Sequence, residues 1–571
     1  MLIGAVHPAT QVILSAAALA LFAAYGWMRR ARGMRTVPFA GAMLLALVFT
    51  AIQLVPLPAP LVALLSPEAY QLRRQVGPDR WFVPLTVDVP ATLLALARGA
   101  ACAGVFLVLG RFVRSRRHAR RLAWAIAATG ALVALIAFVQ RAAGVDAIYG
   151  FYRPRSLPGF GVFGSFVDVN HAASVLALGL LVSAGVAIDV RGTARVAAIA
   201  CAALCGCALL FSASRGALVG AAIGSLLFAV VQFSRVIGWV RGSVAALVVL
   251  VAVMAFSLWT SEAVRARFTV PAQQLWSNQK TRGWSAGLRM ADAYRWTGVG
   301  RGAFETPVDA FRVQSDGVRL VYPEDIFVQL ASEWGFPAAI AIMMLVLASA
   351  RRFVPAMAKL SPTSVAAVCG VIAVVAHEVT DFGLETLGVA LPTTIALGIA
   401  VGESGAEDRK HARHSARSRI IPAASVASFA AAWVLTLALS AWAARRTVDA
   451  DWSRLTSGRV DDGNLAAAIA RHPADDYLEL LAAQRALQAG SATAMHHINR
   501  ALTLNPSNWQ AHRMAARLLA ATHHTSQAAL EYRLAIDNGF AANFEELATI
   551  LGPAVVDAVP QQPPALFDLA R

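Results

Sequence analysis

Apolar runs of about 17 to 25 residues recur along the chain, each long enough to cross the hydrocarbon core of a membrane as a helix. Roughly twelve satisfy that length: 9–28, 37–56, 91–110, 122–140, 170–190, 195–213, 216–234, 243–260, 326–349, 363–380, 386–402 and 421–443. The connections that follow odd-numbered runs hold the short blocks of positive charge. These are Arg29, Arg30, Arg32 and Arg35; the six arginines from Arg111 to Arg121; Arg191 and Arg195; Arg235 and Arg241; Arg351, Arg352 and Lys359; and Arg409, Lys410, Arg413, Arg417 and Arg419. The positive-inside rule then puts all of these in the cytoplasm. Residues 57–90, 141–168, 261–325 and the C-terminal tail fall outside.

Two stretches break the pattern. Residues 57–90, with Pro58, Pro60, Pro67, Pro78 and Pro84, hold too many prolines to be helical throughout and predict an irregular external cap. From 445 to 571 the chain reads as a soluble helical tail in which Ala467, Ala501 and Ala535 stand thirty-four positions apart, the tetratricopeptide period. Such helix pairs bury their apolar faces by stacking, and short stacks bind partners. The expected fold is therefore all-α, a membrane domain at 1–444 with about twelve helices and a repeat tail at 445–571.

Composition agrees with this reading. Hydrophobic residues make up 57% of the chain, charged residues only 15%, and mean hydropathy is +0.58, whereas soluble domains carry about 25% charged residues. The net charge of +17 sits in blocks between apolar runs, with no basic helix interleaved with aromatics, which argues against nucleic acid. No Lys or Arg precedes the first run, so a cleaved signal peptide is not expected. Cys102, Cys201, Cys205, Cys207 and Cys369 all lie inside apolar runs; they read as packing residues, with a metal cluster at 201–207 as the alternative.

The polar interval 261–337 holds the candidate chemistry. Its arginines, Arg282, Arg289 and Arg301 among them, suit an anionic ligand at the outer membrane surface. Residues 283–296 predict a helix on which Trp284, Leu288, Ala291 and Tyr294 recur, followed by the turn Gly298-Val299-Gly300-Arg301-Gly302. That turn either lets main-chain N–H groups approach phosphate or simply reverses the chain. Glu324 and Asp325 open the next apolar helix; one is a cap, Asp325 the better candidate, and Glu324 can serve as a general base. Ser214-Arg215-Gly216 sits between two apolar runs, where Arg215 either binds phosphate or snorkels to headgroups. Asn170 and His171 begin the fifth run, and His377, Glu378, Asp381 and Glu385 end the tenth, the pattern of groups lining a cavity, although either histidine can equally be structural.

Taken in order, these landmarks resemble the O-antigen ligase and Wzy-type polysaccharide polymerase superfamily over roughly residues 50 to 400. The pieces are Gln53-Leu54-Val55-Pro56-Leu57-Pro58, the Asp88 to Leu94 segment, Gly164-Ser165-Phe166 with Asn170-His171-Ala172, and Ser212-Ala213-Ser214-Arg215-Gly216. They continue with the glycine turn through Phe304, the run from Glu324 through Gln329, Glu333 and Gly335, and His377 through Phe382. The resemblance implies transfer of a glycan from undecaprenyl diphosphate to a hydroxyl acceptor on the periplasmic side of the bacterial inner membrane, without a nucleotide sugar, cofactor or metal ion. The acceptor would be a glycan or a lipid A-core type molecule. Arg215 and Arg282 occupy the positions that bind the diphosphate, where charge-assisted contacts stabilise the leaving group. Arg289, Arg301, Asn170, His171, Tyr322, His377 and Asp381 would complete the substrate site, with Tyr294, Trp296 and Tyr322 stacking on sugars. Family ligases carry histidine and asparagine where this chain has Glu324 and Asp325, so either Glu324 would take the role of base or the role moves elsewhere, which tilts the expectation away from strict ligase activity and toward a polymerase-like branch. Two rival readings use the same residues: a transporter or flippase of lipid-linked oligosaccharide, and a non-catalytic scaffold that gathers other polysaccharide-assembly proteins through its repeats.

Overall fold

The computed structural model describes residues 3–5, 7–28, 37–76, 80–145, 147–153, 163–237, 241, 279–313, 319–411, 423–457 and 461–541. The expected span at 243–260, the loop up to residue 278, the basic residues at 29–35 and those at 413–419 lie outside the described residues. Among them are twenty α-helices and one two-stranded ribbon.

The apolar runs become helices with bounds close to those read from the sequence: α1 (Pro8–Met28), α2 (Ala40–Leu54), and, after the cap helices α3 (Ala59–Leu65) and α4 (Pro67–Val76), α5 (Val89–Phe112) and α6 (Arg116–Ala142). Then come α7 (Val169–Asp189), α8 (Thr193–Ser212), α9 (Arg215–Ile237) and, from the polar interval, α10 (Gln279–Ala293). The remaining membrane helices are α11 (Ile326–Met357), α12 (Pro362–His377), α13 (Leu387–His411) and α14 (Ala423–Ala444). Eight helices among the described residues are long and apolar enough to span a membrane. The protein is a multi-pass membrane protein.

Lipid-facing and protein-facing sides are told apart by residue size. Leu132, Leu135, Val196, Ile199 and Phe211 stand exposed, as they would against acyl chains. Facing helices meet through small residues, because close backbone approach replaces the hydrophobic driving force inside a bilayer. α7 is the enclosed centre, packed by α6, α8, α9, α12 and α13. A Cβ at Gly130 of α6 would lie 2.9 Å from the Cys205 sulfur and 3.1 Å from the Gly179 Cα. Cys205 thus packs a three-helix contact. Gly220 and Gly224 of α9 bring it just as close to the carbonyls of Ala373 and Cys369 on α12.

The span expected at 326–349 is interrupted. Gly335 has φ 73° and ψ 162°, and the Phe336 N–H leaves the helix ladder to donate to the Arg295 carbonyl at 2.9 Å. A short amphipathic piece therefore precedes the break, and the apolar helix runs on after it. The proline-rich cap is more regular than its composition suggests. Pro60 and Pro67 fall in the first turns of α3 and α4, where the missing N–H costs nothing, and Leu57–Pro58 (β1) pairs antiparallel with Phe82–Val83 (β2).

The tail forms α15 (Val448–Ser457), α16 (Asp462–Arg471), α17 (Asp476–Gln488), α18 (Ala494–Leu504), α19 (Trp509–Ala521) and α20 (Thr525–Asp537). α17 pairs with α18 and α19 with α20 as helical hairpins. Ala501 and Ala535 are buried, but Ala467 is exposed and Ala468 takes the inward place. The reason is local: α16 packs on α15, α17 and the cap helix α4, not on a preceding hairpin. The tail is fastened to the cap and to the polar interval by polar contacts. His472 donates to the carboxylate of Asp88, the N-cap of α5, at 2.7 Å and lies 3.5 Å from Asp451. Arg319 meets Glu305 at 2.9 Å and Asp449 at 3.2 Å.

Candidate functional site

Five chain segments converge at one end of the bundle: the starts of α7, α9 and α10, the approach to α11, and the end of α12. Asp168 caps α7, its Oδ1 accepting the Asn170 N–H at 2.7 Å. The Ser214 hydroxyl donates to the Asn170 side-chain oxygen at 2.7 Å, tying the start of α9 to α7. Ala213, directly before, has φ 52°, a left-handed turn that lets α8 end and α9 begin at Arg215. Gly216 brings α9 onto the end of α12: a Cβ there would meet the His377 ring at 2.5 Å and the Thr380 hydroxyl at 2.6 Å. Half-buried Arg215 is therefore held beside His377 and Thr380.

Lys280 links this group to the other half. Its ammonium donates to the Thr380 carbonyl at 2.6 Å and pairs with the Glu324 carboxylate at 2.9 Å. Two residues on, Arg282 is exposed on α10, and Gly283 packs against Pro323, with Trp284 donating to the Glu324 carbonyl at 3.2 Å. Glu324 itself has φ 57°, a left-handed conformation rare outside glycine, and its side chain is partly exposed. Asp325, by contrast, caps α11, accepting from Phe327 N–H at 2.8 Å and Val328 N–H at 2.9 Å. The two adjacent acids thus have separate tasks. Lys280 was missed as a site residue in the sequence; its position at the start of a helix that also carries Arg282 was the available signal.

A buried polar cluster lies beside these residues. His377 shares a 2.8 Å hydrogen bond with Ser174 and stands 3.7 Å from Asp381; His171 stands 3.8 Å from the same carboxylate. All three are buried, and neither ring nitrogen of His171 nor either oxygen of Asp381 is hydrogen-bonded within the protein. Burial, reinforced by Asp168 and opposed by His171, raises the Asp381 carboxyl above its ordinary value. Buried polar atoms of this kind call for a partner, such as a ligand hydroxyl or water. Asp168, His171 and Asp381 each bring a ligand atom within 4.8 Å of the others, so these are the residues among those described that suit a cation. Half-buried Tyr322 stacks on Phe382 with centroids 4.3 Å apart, and Phe382 meets His171 edge-on.

Other expected site residues have partners of their own. Arg301 pairs with both Glu333 and Glu385, and Glu385 also binds Arg98 at 3.1 Å. Its guanidinium is taken up by a buried four-membered network. Burial works against that charge, but Glu385 and Glu333 outweigh it and raise the Arg301 pKa. Arg289 is exposed on α10 and donates to the Phe311 carbonyl at 2.7 Å. Tyr294 is buried with Met290 and Phe304, so its ring is not available to a sugar, whereas Trp296 is exposed. The glycine turn does not present its N–H groups to phosphate. Gly298 donates to Tyr294, Val299 to Ser332, Gly300 to Glu333 and Arg301 to Gln53. The turn is a buckle between α5 and α11, with Gln53 bonding the carbonyls of Thr297 and Glu333 at 2.8 Å each.

With this geometry in place, comparison with known proteins gives three results. Residues 200–343, from α8 through the first part of α11, match the family described as O-Antigen ligase. No curated protein matches the chain. Among solved structures, a chain from "Structural coordination of polymerization and crosslinking by a peptidoglycan synthase complex" aligns at 17% identity and TM-score 0.32, covering 65% of this chain and 97% of that one. That likeness is too loose to carry fold or function across.

Proposed function

From the match of residues 200–343 to the family described as O-Antigen ligase, we propose that this membrane protein is a glycosyltransferase whose donor is a glycan on undecaprenyl diphosphate. The acceptor hydroxyl oxygen attacks the anomeric carbon, forming the glycosidic bond. The bond from that carbon to the diphosphate oxygen breaks, and undecaprenyl diphosphate leaves with the electron pair. Glu324 takes the hydroxyl proton. Arg215 and Arg282 bind the diphosphate and stabilise the charge that grows on it, where electrostatic catalysis is most effective. Asn170, His171, His377, Asp381 and Tyr322 line the acceptor or sugar side.

The observation that carries the reading is the Lys280 bridge. One ammonium holds Glu324 and the Thr380 carbonyl, and Gly216 packs on Thr380, so the segments that carry residues 215, 282 and 324, far apart in the chain, meet at one end of the bundle. The catalytic surface is placed on the periplasmic face of a bacterial inner membrane, with residues 1–444 as the membrane unit and 445–571 as a tetratricopeptide-like tail that engages other assembly proteins. Glu324 in place of the family histidine favours polymerisation on a glycan acceptor over ligation to lipid A-core. Purified protein reconstituted with a lipid-linked donor should release undecaprenyl diphosphate and lengthen the glycan. Binding without release would point to transport, and an inactive protein still required for polysaccharide in cells would point to a scaffold.

A further inference from the structure

A cleft of about 540 Å³ opens between the cap and the tail, and none of the residues assigned to transfer lines it. Its floor is Tyr70, Arg73, Arg80, Trp81 and Phe82 of the cap, and its roof is Ala470 and Pro473 of the tail. The lining includes three arginines and not one carboxylate. Arg73 is fixed by a hydrogen bond to the Thr86 carbonyl, while its Nε is buried with no hydrogen-bond partner. Burial lowers its pKa to about 10; Asp88 resists this and Arg80 adds to it. The cleft therefore concentrates positive charge on its lining.

The aromatic side chains narrow the ligand class. Along β2, Val83 points inward to pack with Val62 and Leu85, and period-two alternation turns Phe82 outward. Trp81 beside it is 84% exposed. An indole in that position contributes little to folding and offers a flat face for a ring to stack on. A bare phosphate would use the arginines but not the ring, and a lipid headgroup would not need a roof supplied by the tail. A sugar chain bearing carboxylates uses both, and the cleft's volume is in the usual range for small-molecule sites, ~300–1,000 Å³.

We propose that this cleft binds an acidic oligosaccharide, a stretch of the acceptor or product chain held by the cap and the tail together. That the sugar is acceptor or product rests on the function proposed above; the binding itself does not. The test uses full-length protein in detergent, with tetragalacturonate and neutral maltotetraose as probes and no donor present. Tetragalacturonate should bind, with affinity falling as salt rises, and maltotetraose should bind at least about ten-fold more weakly, given the worth of charged hydrogen bonds. Arg80→Gln and Trp81→Ala, both with unchanged melting temperature, should each weaken tetragalacturonate by about ten-fold or more. No binding, or binding indifferent to both substitutions, overturns the proposal. So does displacement of the probe by phosphatidylglycerol nanodiscs but not phosphatidylcholine ones, which would make the cleft a headgroup site. Because no donor is present, failure of glycan transfer leaves this result standing, and failure of binding leaves transfer untouched.

Discussion

Glu324 and Asp325 show how much one residue's backbone decides. Both are carboxylates at a helix start, yet Asp325 is extended and turns its oxygen back on two N–H groups. Glu324, at φ 57°, turns its side chain away to Lys280. A base must be placed as well as charged, so Glu324→Gln should lower glycan transfer by ~10²–10⁴-fold with little change in donor binding. Arg282→Ala should cost ~10²–10³-fold in rate and also weaken the donor. Release of undecaprenyl diphosphate by each purified variant measures both, and a variant with wild-type turnover removes that residue from the mechanism. Arg301 belongs to a different class. Truncating it to Ala leaves Glu333 and Glu385 buried against each other, which should destabilise the protein by about 3–5 kcal/mol, seen as a lower melting temperature in detergent.

At the scale of elements, the glycine turn explains why the arginine within it is structural. Gly300 has φ +110°, and a Cβ there would come within 2.0 Å of the Thr86 hydroxyl. Any side chain would push the start of α5 away from α11. Gly300→Ala should therefore cost at least the roughly 1–3 kcal/mol of a strained left-handed residue, plus the clash. Reduced yield of folded protein by size-exclusion chromatography would register it, and a normal melting temperature would refute it. The same reasoning covers Gly335, where α11 breaks to admit the carbonyl of Arg295.

Across the whole molecule, the joint between tail and membrane domain includes one buried imidazole whose charge matters. Burial opposes charge on His472, but Asp88 and Asp451 outweigh it and raise its pKa from about 6.5 to about 10. A pKa raised on folding means the docked state holds a proton that the undocked state gives up above its ordinary value. The contribution to docking is thus complete below about pH 6.5 and is lost as pH rises toward 10. Limited proteolysis near residues 445–461 should accelerate between pH 7 and pH 10, a window chosen from those two values. His472→Ala should be cut faster at every pH and lose most of that dependence. Equal cleavage of both proteins across the range would show that the tail is held by other contacts.

Much of this protein is legible in the order of its residues. Span positions follow from the length of each apolar run, because a bilayer rewards about twenty apolar residues wherever they occur. The Asp325 cap and the helix at 283–296 follow from local spacing, and the cap lies next to the candidate base it separates from the helix. What required the folded chain is everything that depends on long-range partners. Arg301 and Arg282 are both loop arginines in the sequence; only the arrival of Glu333 and Glu385 makes one a buried brace, while Lys280, 44 positions from its Glu324 partner, gathers the other's surroundings. Pairing between distant ions is decided by which segments meet, and in this molecule small residues set those meetings through backbone contact, Gly298 against Glu333, Gly335 against Trp296 and Thr297, and Gly283 against Pro323, which no local pattern of charge or hydrophobicity encodes.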